Sequence, residues 1–288
     1  MPRFDVQAEY PSLPKSPPPV LSLESPGVSE ISVLESARGF GLKGLRTEGV
    51  VRTDPNAISY SEGPIEYLVF RLSGGVRQRD RQRWMRSERD SSFEISDEAA
   101  LEAALVAVRP FAFLREAAAG SAVVKRLHVA SSLPEGKSFS ERITHAAVYF
   151  KRSISGIPVD GPGGKMTVFL SPDKKLTGVD LIWREISGVY EETKGLRRPE
   201  EAIQEVTERW TKRGATSGVI NEIRFGYLEL DWLQNQRLMQ PAYVIFGVLG
   251  GSNSKLRHGA VEVVAASTDP IGELVPLPPP RPKQEPRS

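Results

Sequence analysis

Apolar residues recur at helical spacing in three places along the 288-residue chain. In residues 29–39, SEISVLESARG, Ser29 is a candidate N-cap and Ile31, Leu34 and Ala37 form an apolar face. Gly39, Gly41 and Gly44 then stop the helix. Residues 96–118 open with Ser96 as cap and Asp97 and Glu98 in an acidic first turn. Leu101, Leu105 and Val108 supply the face, and Pro110 ends or kinks the helix. Residues 199–213 place Pro199 at the first helical position, with a stripe of Ile203, Val206 and Trp210 and a basic end.

Strand-like runs divided by turn residues follow each helix. After the first come LRTEGVVR and IEYLVFRL. After the second come VVKRLHVA, THAAVYFKRSI, KMTVFLS and LTGVDLIWREI. After the third come GVINEIRFGYLELDWL, PAYVIFGVLG and GAVEVVAAS, with PDKK, GPGG and GGSN as turns. In THAAVYFKR, alternation puts Ala146, Val148 and Phe150 on one face and His145, Ala147 and Tyr149 on the other. One covered face of this kind suits antiparallel sheets. The expected architecture is α+β, built of repeated units of one helix packed on a curved antiparallel sheet, at 29–95, 96–190 and 191–269. Of the 23 prolines, seven lie in residues 1–28 and seven in 270–288. These segments read as a Pro-rich N-terminal arm and a Pro-rich C-terminal tail, with Val20, Leu21 and Leu23 able to lie on a sheet edge. PLPPPRP in the tail has the spacing read by aromatic-grooved adaptor domains.

The run AVYFKRSISGIPVDGPGGKMTVFLSPDKKLTGVDLIWREI resembles a PepSY or FTP-type repeat, the latter named from fungalysin and thermolysin propeptides. YLELDWLQNQRLMQPAYVIFG is similar to a strand pair of that family, and GFGLKG followed by IEYLVFRL fits more loosely. The resemblance implies a helix on a curved antiparallel sheet, repeated, in a module that inhibits, chaperones or regulates by holding a protein or peptide. It carries over no catalytic residue, and it implies structural roles for Gly156, Ile157, Pro158, Val159, Gly178 and Trp183.

Composition narrows the chemistry. Lys and Arg number 38 against 36 Asp and Glu, and this near balance argues against a general nucleic-acid binder. No apolar run reaches the roughly 18 residues of a membrane span. The absence of cysteine removes disulfides, thiolate metal ligands and a cysteine nucleophile. The first 21 residues lack the apolar stretch of a secretory signal, so the expectation is a cytoplasmic protein, or an exported one whose leader lies outside this chain. His128, His145 and His258 have no second histidine at ligand spacing, and no metal site is expected. GPGGK at 161–165 lies between strands rather than before a helix, which makes a hairpin turn and not a phosphate cradle. A Gly-x-Ser-x-Gly elbow is lacking, and no cofactor is expected.

Two segments carry candidate site residues. In VRQRDRQRWMRSER an extended chain would set Arg77, Arg79, Arg81 and Arg83 on one side and Gln78, Asp80, Gln82 and Trp84 on the other. Four aligned guanidinium groups call for water, acids or an anionic partner, so this is a candidate binding edge for an acidic peptide, phosphate or RNA; the bland reading is a charged edge strand that resists aggregation. In EIRFGYLELDWL, Phe225, Tyr227, Glu229 and Asp231 would share one face. Glu229 and Asp231 beside Tyr227 and Tyr243 are candidate catalytic groups if burial raises one carboxyl pKa. The leading functional expectation is a cofactor-free binding or regulatory module that holds a peptide or protein partner in a sheet groove or along an edge strand. The alternative is a cofactor-independent cyclase or isomerase acting on a hydrophobic small molecule in a sheet–helix pocket.

Overall fold

A computed structural model describes residues 2–84, 95–109, 122–132, 139–251, 257–272 and 274. Seventeen strands and three helices are present among them. The chain divides into two compact units, one made of Met1–Pro19, Glu192–Phe225 and Gln240–Ser288, the other of Val20–Glu191 and Gly226–Met239.

The smaller unit is organised by α3 (Pro199–Lys212), whose Ile203, Val206 and Trp210 are buried as their spacing predicts. The helix packs on β16 (Pro241–Gly251) and β17 (Arg257–Ala265), an antiparallel pair. Gly247 admits the Trp210 ring, because a Cβ there would lie 2.7 Å from it. The indole N–H donates to the Glu262 carboxylate at 3.3 Å. β14 (Ala215–Leu228) lies beside β16. On the same strand, β1 (Arg3–Val6) pairs in parallel, with Arg3 opposite Ser217 and Val6 opposite Ile220.

In the larger unit, α1 (Glu30–Gly39) starts at Ser29, whose hydroxyl accepts from the Ser32 N–H at 3.1 Å while the Ser32 hydroxyl accepts from the Ser29 N–H at 2.8 Å. This reciprocal cap satisfies two N–H groups that the helix start leaves without partners. α2 (Asp97–Val108) is capped by Ser96. An eight-stranded antiparallel sheet runs in the order β3 (Val50–Thr53), β4 (Ala57–Glu62), β5 (Ile65–Phe70), β6 (Val76–Asp80), β12 (Leu176–Ile182), β11 (Lys165–Leu170), β8 (Phe139–Lys151), β7 (Val123–Ser132). α1 packs on β4 and β5, and α2 on β11, β8 and β7. Between helices and sheet lies a core that includes Tyr60, Tyr67, Ala146, Val148, Phe150, Met166, Val168 and Val179. The alternation predicted in THAAVYFKR is therefore the observed one on its core face. A three-stranded antiparallel sheet places β2 (Val20–Leu23) between β13 (Ile186–Glu191) and β15 (Leu238–Met239).

The expected repetition of helix-on-sheet units is not built. The protein is predominantly β, with large sheets. The reason is the antiparallel pairing of β6 with β12, which sets Arg79 against Gly178 and Val76 against Leu181. Two meanders that would each have ended in an unpaired edge instead satisfy one another's backbone groups and merge into one sheet. The N-terminal arm is also more than an extended tail. It supplies β1, and β2 is a central strand with Leu21 and Leu23 buried against Val159, Tyr227 and Met239.

Two helix faces are met in part: Leu34, Ala37, Leu101 and Val108 pack on the core as expected, whereas Ile31 and Leu105 do not. α1 buries Val33 and Ala37 and leaves Ile31 69% exposed. α2 buries Ala100, Ala104 and Val108 while Leu105 is exposed. Small side chains at every fourth position let a helix approach a sheet closely, and that preference outweighs side-chain size here. The stretch at 110–118, including Pro110, the GGSN turn beyond residue 251 and PLPPPRP lie outside the described residues.

Candidate functional site

On the eight-stranded sheet, alternation and register place one set of side chains away from the helices. One cross-strand row is Leu68, Arg77, Asp180, Thr167, Tyr149 and Val123. Its neighbour is Glu66, Arg79, Gly178, Phe169, Ala147 and Lys125. Lys165 and Lys151 face each other one step along.

Asp180 joins the two arginines. Its Oδ1 accepts from Arg79 Nη2 at 2.7 Å and from Arg77 Nε at 3.1 Å. The Arg79 guanidinium lies against the Trp84 and Phe169 rings, 4.2 and 4.8 Å from their centroids, and the two rings meet edge to face at 5.0 Å. It also donates to the carbonyls of Gln78 and Val179. Glycine at 178 makes this crossing possible, since a Cβ there would stand 3.0 Å from the Arg79 side chain. Arg77 lies 5.0 Å from the Trp232 ring centroid. Arginine stacked on aromatic faces while paired to a carboxylate is held in place as well as neutralised.

Beside this lattice opens a cavity of about 310 Å³, lined by Tyr149, Lys165, Thr167 and Phe169 from the sheet face and by Asp231 and Trp232 from the 226–239 segment. Asp180 also lines it. Burial pushes the Lys165 ammonium below its ordinary pKa, with Asp160 opposing the shift and Lys151 adding to it. Burial raises the Tyr149 hydroxyl, with the charge on Asp180 adding to the rise.

The structure brings together only part of the expected site. Arg77 and Arg79 share a face, as alternation requires. Arg81 and Arg83 do not continue the row, because β6 ends at Asp80. The Asp80 carboxylate accepts from the Gln82 and Arg83 N–H groups at 2.9 and 3.1 Å and turns the chain. Arg81 is exposed, and Arg83 pairs with Asp80 and Asp173. Trp84, expected to face away from the arginines, lies over Arg79 because of the same turn.

The acidic candidates separate in the same manner. Asp231 reaches the cavity, whereas Glu229 is wholly buried in a cluster with Arg152 and Arg184. Tyr227 is buried opposite Val159. Tyr243 belongs to the smaller unit, where its hydroxyl donates to the Arg197 carbonyl at 2.6 Å and burial pushes its pKa up to about 12. The expected pairing of two carboxylates with two tyrosines is thus not formed, because β14 ends at Leu228 and the alternation stops there. GPGGK connects β10 (Ile157–Asp160) to β11 but is not the expected hairpin turn, because β10 pairs with β14 and β11 with β8 and β12, in a different sheet. Its glycines have a second purpose. A Cβ at Gly161 would lie 2.5 Å from the Glu229 carbonyl oxygen, and one at Gly163 would lie 2.7 Å from Glu229 Cγ, so the loop closes over this residue.

Lys165, Thr167, Tyr149 and Trp232 belong to no catalytic or binding motif of the sequence. Alternation in KMTVFLS marks Lys165 and Thr167 as same-face neighbours, but no sequence pattern brings Trp232 to that face. Among the described residues no cluster of three or more His, Asp or Glu is arranged to hold a metal ion. None of their helices is long and apolar enough to cross a membrane.

No protein-family model matches the chain. No curated protein matches it either. Among solved structures, an uncharacterized protein from Eubacterium rectale ATCC 33656 is similar, with a TM-score of 0.50 and 11% identity over 92% of this chain and 89% of that one. This likeness concerns the fold alone.

Proposed function

We propose that the protein is a cofactor-free binding module that holds an acidic polypeptide segment against the helix-free face of its eight-stranded sheet. The observation behind this reading is the cavity at Lys165, which opens on that face beside two arginine–aromatic stacks. Lys125, Lys151, Lys165, Arg77 and Arg79 outnumber Glu66, Asp180 and Asp231 on the face. Electrostatic complementarity to such a surface favours an acidic partner. Aromatic and arginine side chains are the residue types that most often dominate protein recognition. The alternative of a cofactor-independent enzyme drew on Glu229, Asp231, Tyr227 and Tyr243, and these are dispersed.

Selection of displayed random peptides on the full chain, followed by hydrogen exchange with the selected peptides bound, tests the proposal. Acidic sequences should dominate, and protection should rise in β8, β11 and β12. Recovery of no binding peptide, or protection confined to the smaller unit, would overturn it.

A further inference from the structure

Three donors meet at the cavity without a strong partner among the described residues. Lys165 Nζ has one long hydrogen bond, to the Gly161 carbonyl at 3.4 Å, and no carboxylate within ion-pair distance among the described residues. The hydroxyls of Thr167 and Tyr149, residues directly opposite each other on β11 and β8, have no hydrogen-bond partner among the described residues. Lys165 stands two residues from Thr167 on the same strand and so on the same face. Asp160 and Asp231 act on this half-buried ammonium only from beyond ion-pair distance, so part of its burial cost stays uncompensated, and a bound anion lowers that cost.

The rest of the lining selects the anion. Asp231 and Asp180 also line the cavity, so a phosphate dianion meets more repulsion than a carboxylate does. Phe169, Ile182 and Trp232 form apolar walls. At about 310 Å³ the space is at the small end of ligand sites, which run from about 300 Å³ upward.

We infer that Lys165, Thr167 and Tyr149 form a carboxylate-receiving pocket for a C-terminal residue with an apolar side chain. The ammonium and two hydroxyls take the α-carboxylate, and Trp232, Phe169 and Ile182 take the side chain. This inference rests on the reading of the sheet face as a polypeptide-binding surface and names the anchor of that polypeptide.

The test is calorimetric or NMR titration of the full chain with N-acetyl-leucine, N-acetyl-leucinamide and inorganic phosphate. N-acetyl-leucine should bind at least about tenfold more tightly than the amide, the scale of one hydrogen-bonded charge. Lys165→Met should weaken the acid by about tenfold and leave the amide unchanged, and Lys165→Arg should restore part of the difference. Thr167→Val, a near-isosteric change, is a second variant should Lys165→Met fail to fold. Equal binding of acid and amide, acid affinity indifferent to both substitutions, or tighter binding of phosphate would overturn the inference. Selected peptides that bind the sheet face equally well with free or amidated C-termini would remove the pocket's role and leave the proposed function intact. Binding of N-acetyl-leucine as stated, with no peptide bound, would keep the carboxylate pocket and remove the proposed function.

Discussion

Glu229→Ala should lower stability by about 3–5 kcal/mol, the scale for removing one partner from a buried ion cluster. The residue is 0% exposed. Its Oε1 accepts from the Arg184 backbone N–H at 2.8 Å, and its Oε2 lies 3.4 Å from Arg152 Nη1. Arg152 donates to the Arg184 carbonyl at 2.7 Å. Arg184 in turn donates to the carbonyls of Leu230, Asp231 and Gln234, each at 2.8 Å. Burial pushes the Glu229 carboxyl up, while the Arg184 amide and the two guanidinium groups hold it down. The cluster is thus a junction between the Arg184 region and the 229–234 segment that lies under the Gly161–Gly163 loop.

Removing the carboxylate takes away the charge that two buried guanidinium groups share, and the fold as a whole is worth only about 5–15 kcal/mol. Glu229→Gln retains the shape and one acceptor, and should cost less than the alanine. Glu205→Ala is the control. Its pairs with Arg197 and Arg209 are partly solvated, and it should cost about 1 kcal/mol or less. Urea denaturation measures all three, as a displaced midpoint at constant slope. A midpoint for Glu229→Ala as close to wild type as that of Glu205→Ala would refute the assignment.

Acid should destabilise the larger unit well before its carboxylates titrate as a group. His145 is 1% exposed, neither ring nitrogen has a hydrogen-bond partner, and the ring stacks on Trp84 at 4.7 Å. Burial, reinforced by the Arg79 charge, lowers its pKa from 6.5 to about 4. The folded pKa lies below the unfolded one, so between these values the unfolded chain binds the additional proton. Stability is therefore complete above about pH 6.5 and falls as pH drops toward 4. The slope approaches about 1.4 kcal/mol per pH unit, and the whole window amounts to about 3 kcal/mol. Asp173, held at about 2 chiefly by the Ser171 hydroxyl, acts in a separate window, losing its contribution as pH falls from 3.8 to about 2.

His145→Phe keeps a ring against Trp84 and removes the proton site. Its urea midpoint should vary little between pH 7 and pH 4.5, whereas the wild-type midpoint should fall. An identical acid slope in both proteins would show that another group is responsible.

The sheet alternation and the three helix positions were legible because each depends on neighbours a few residues apart. Ser29 and Pro199 mark helix starts by chemistry local to the backbone, and the structure uses both. His145 is instructive from the other side. Alternation assigned it correctly to the face away from Ala146 and Val148, where a strand histidine would ordinarily meet water. The turn after β6, which brings Trp84 over Arg79, sets the Trp84 ring 4.7 Å from the His145 ring, and the histidine side chain is buried.

The site was legible only in fragments for the same reason. Arg77 and Arg79 follow from a strand period, but their partner Asp180 lies more than a hundred residues away in sequence, brought there by β6–β12 pairing. Asp231 was singled out as one of a carboxylate pair, yet its cavity neighbours Lys165 and Trp232 meet it through pairing and packing that no local pattern encodes. What the chain alone determined was the local content: where helices begin, which strand faces are apolar, and that no familiar catalytic motif is present. The tertiary structure decided which strands adjoin, which charges are buried and which donors share a cavity. Side-chain period and capping act over a few residues, whereas sheet edges and buried charges find partners according to the free energy of the entire fold.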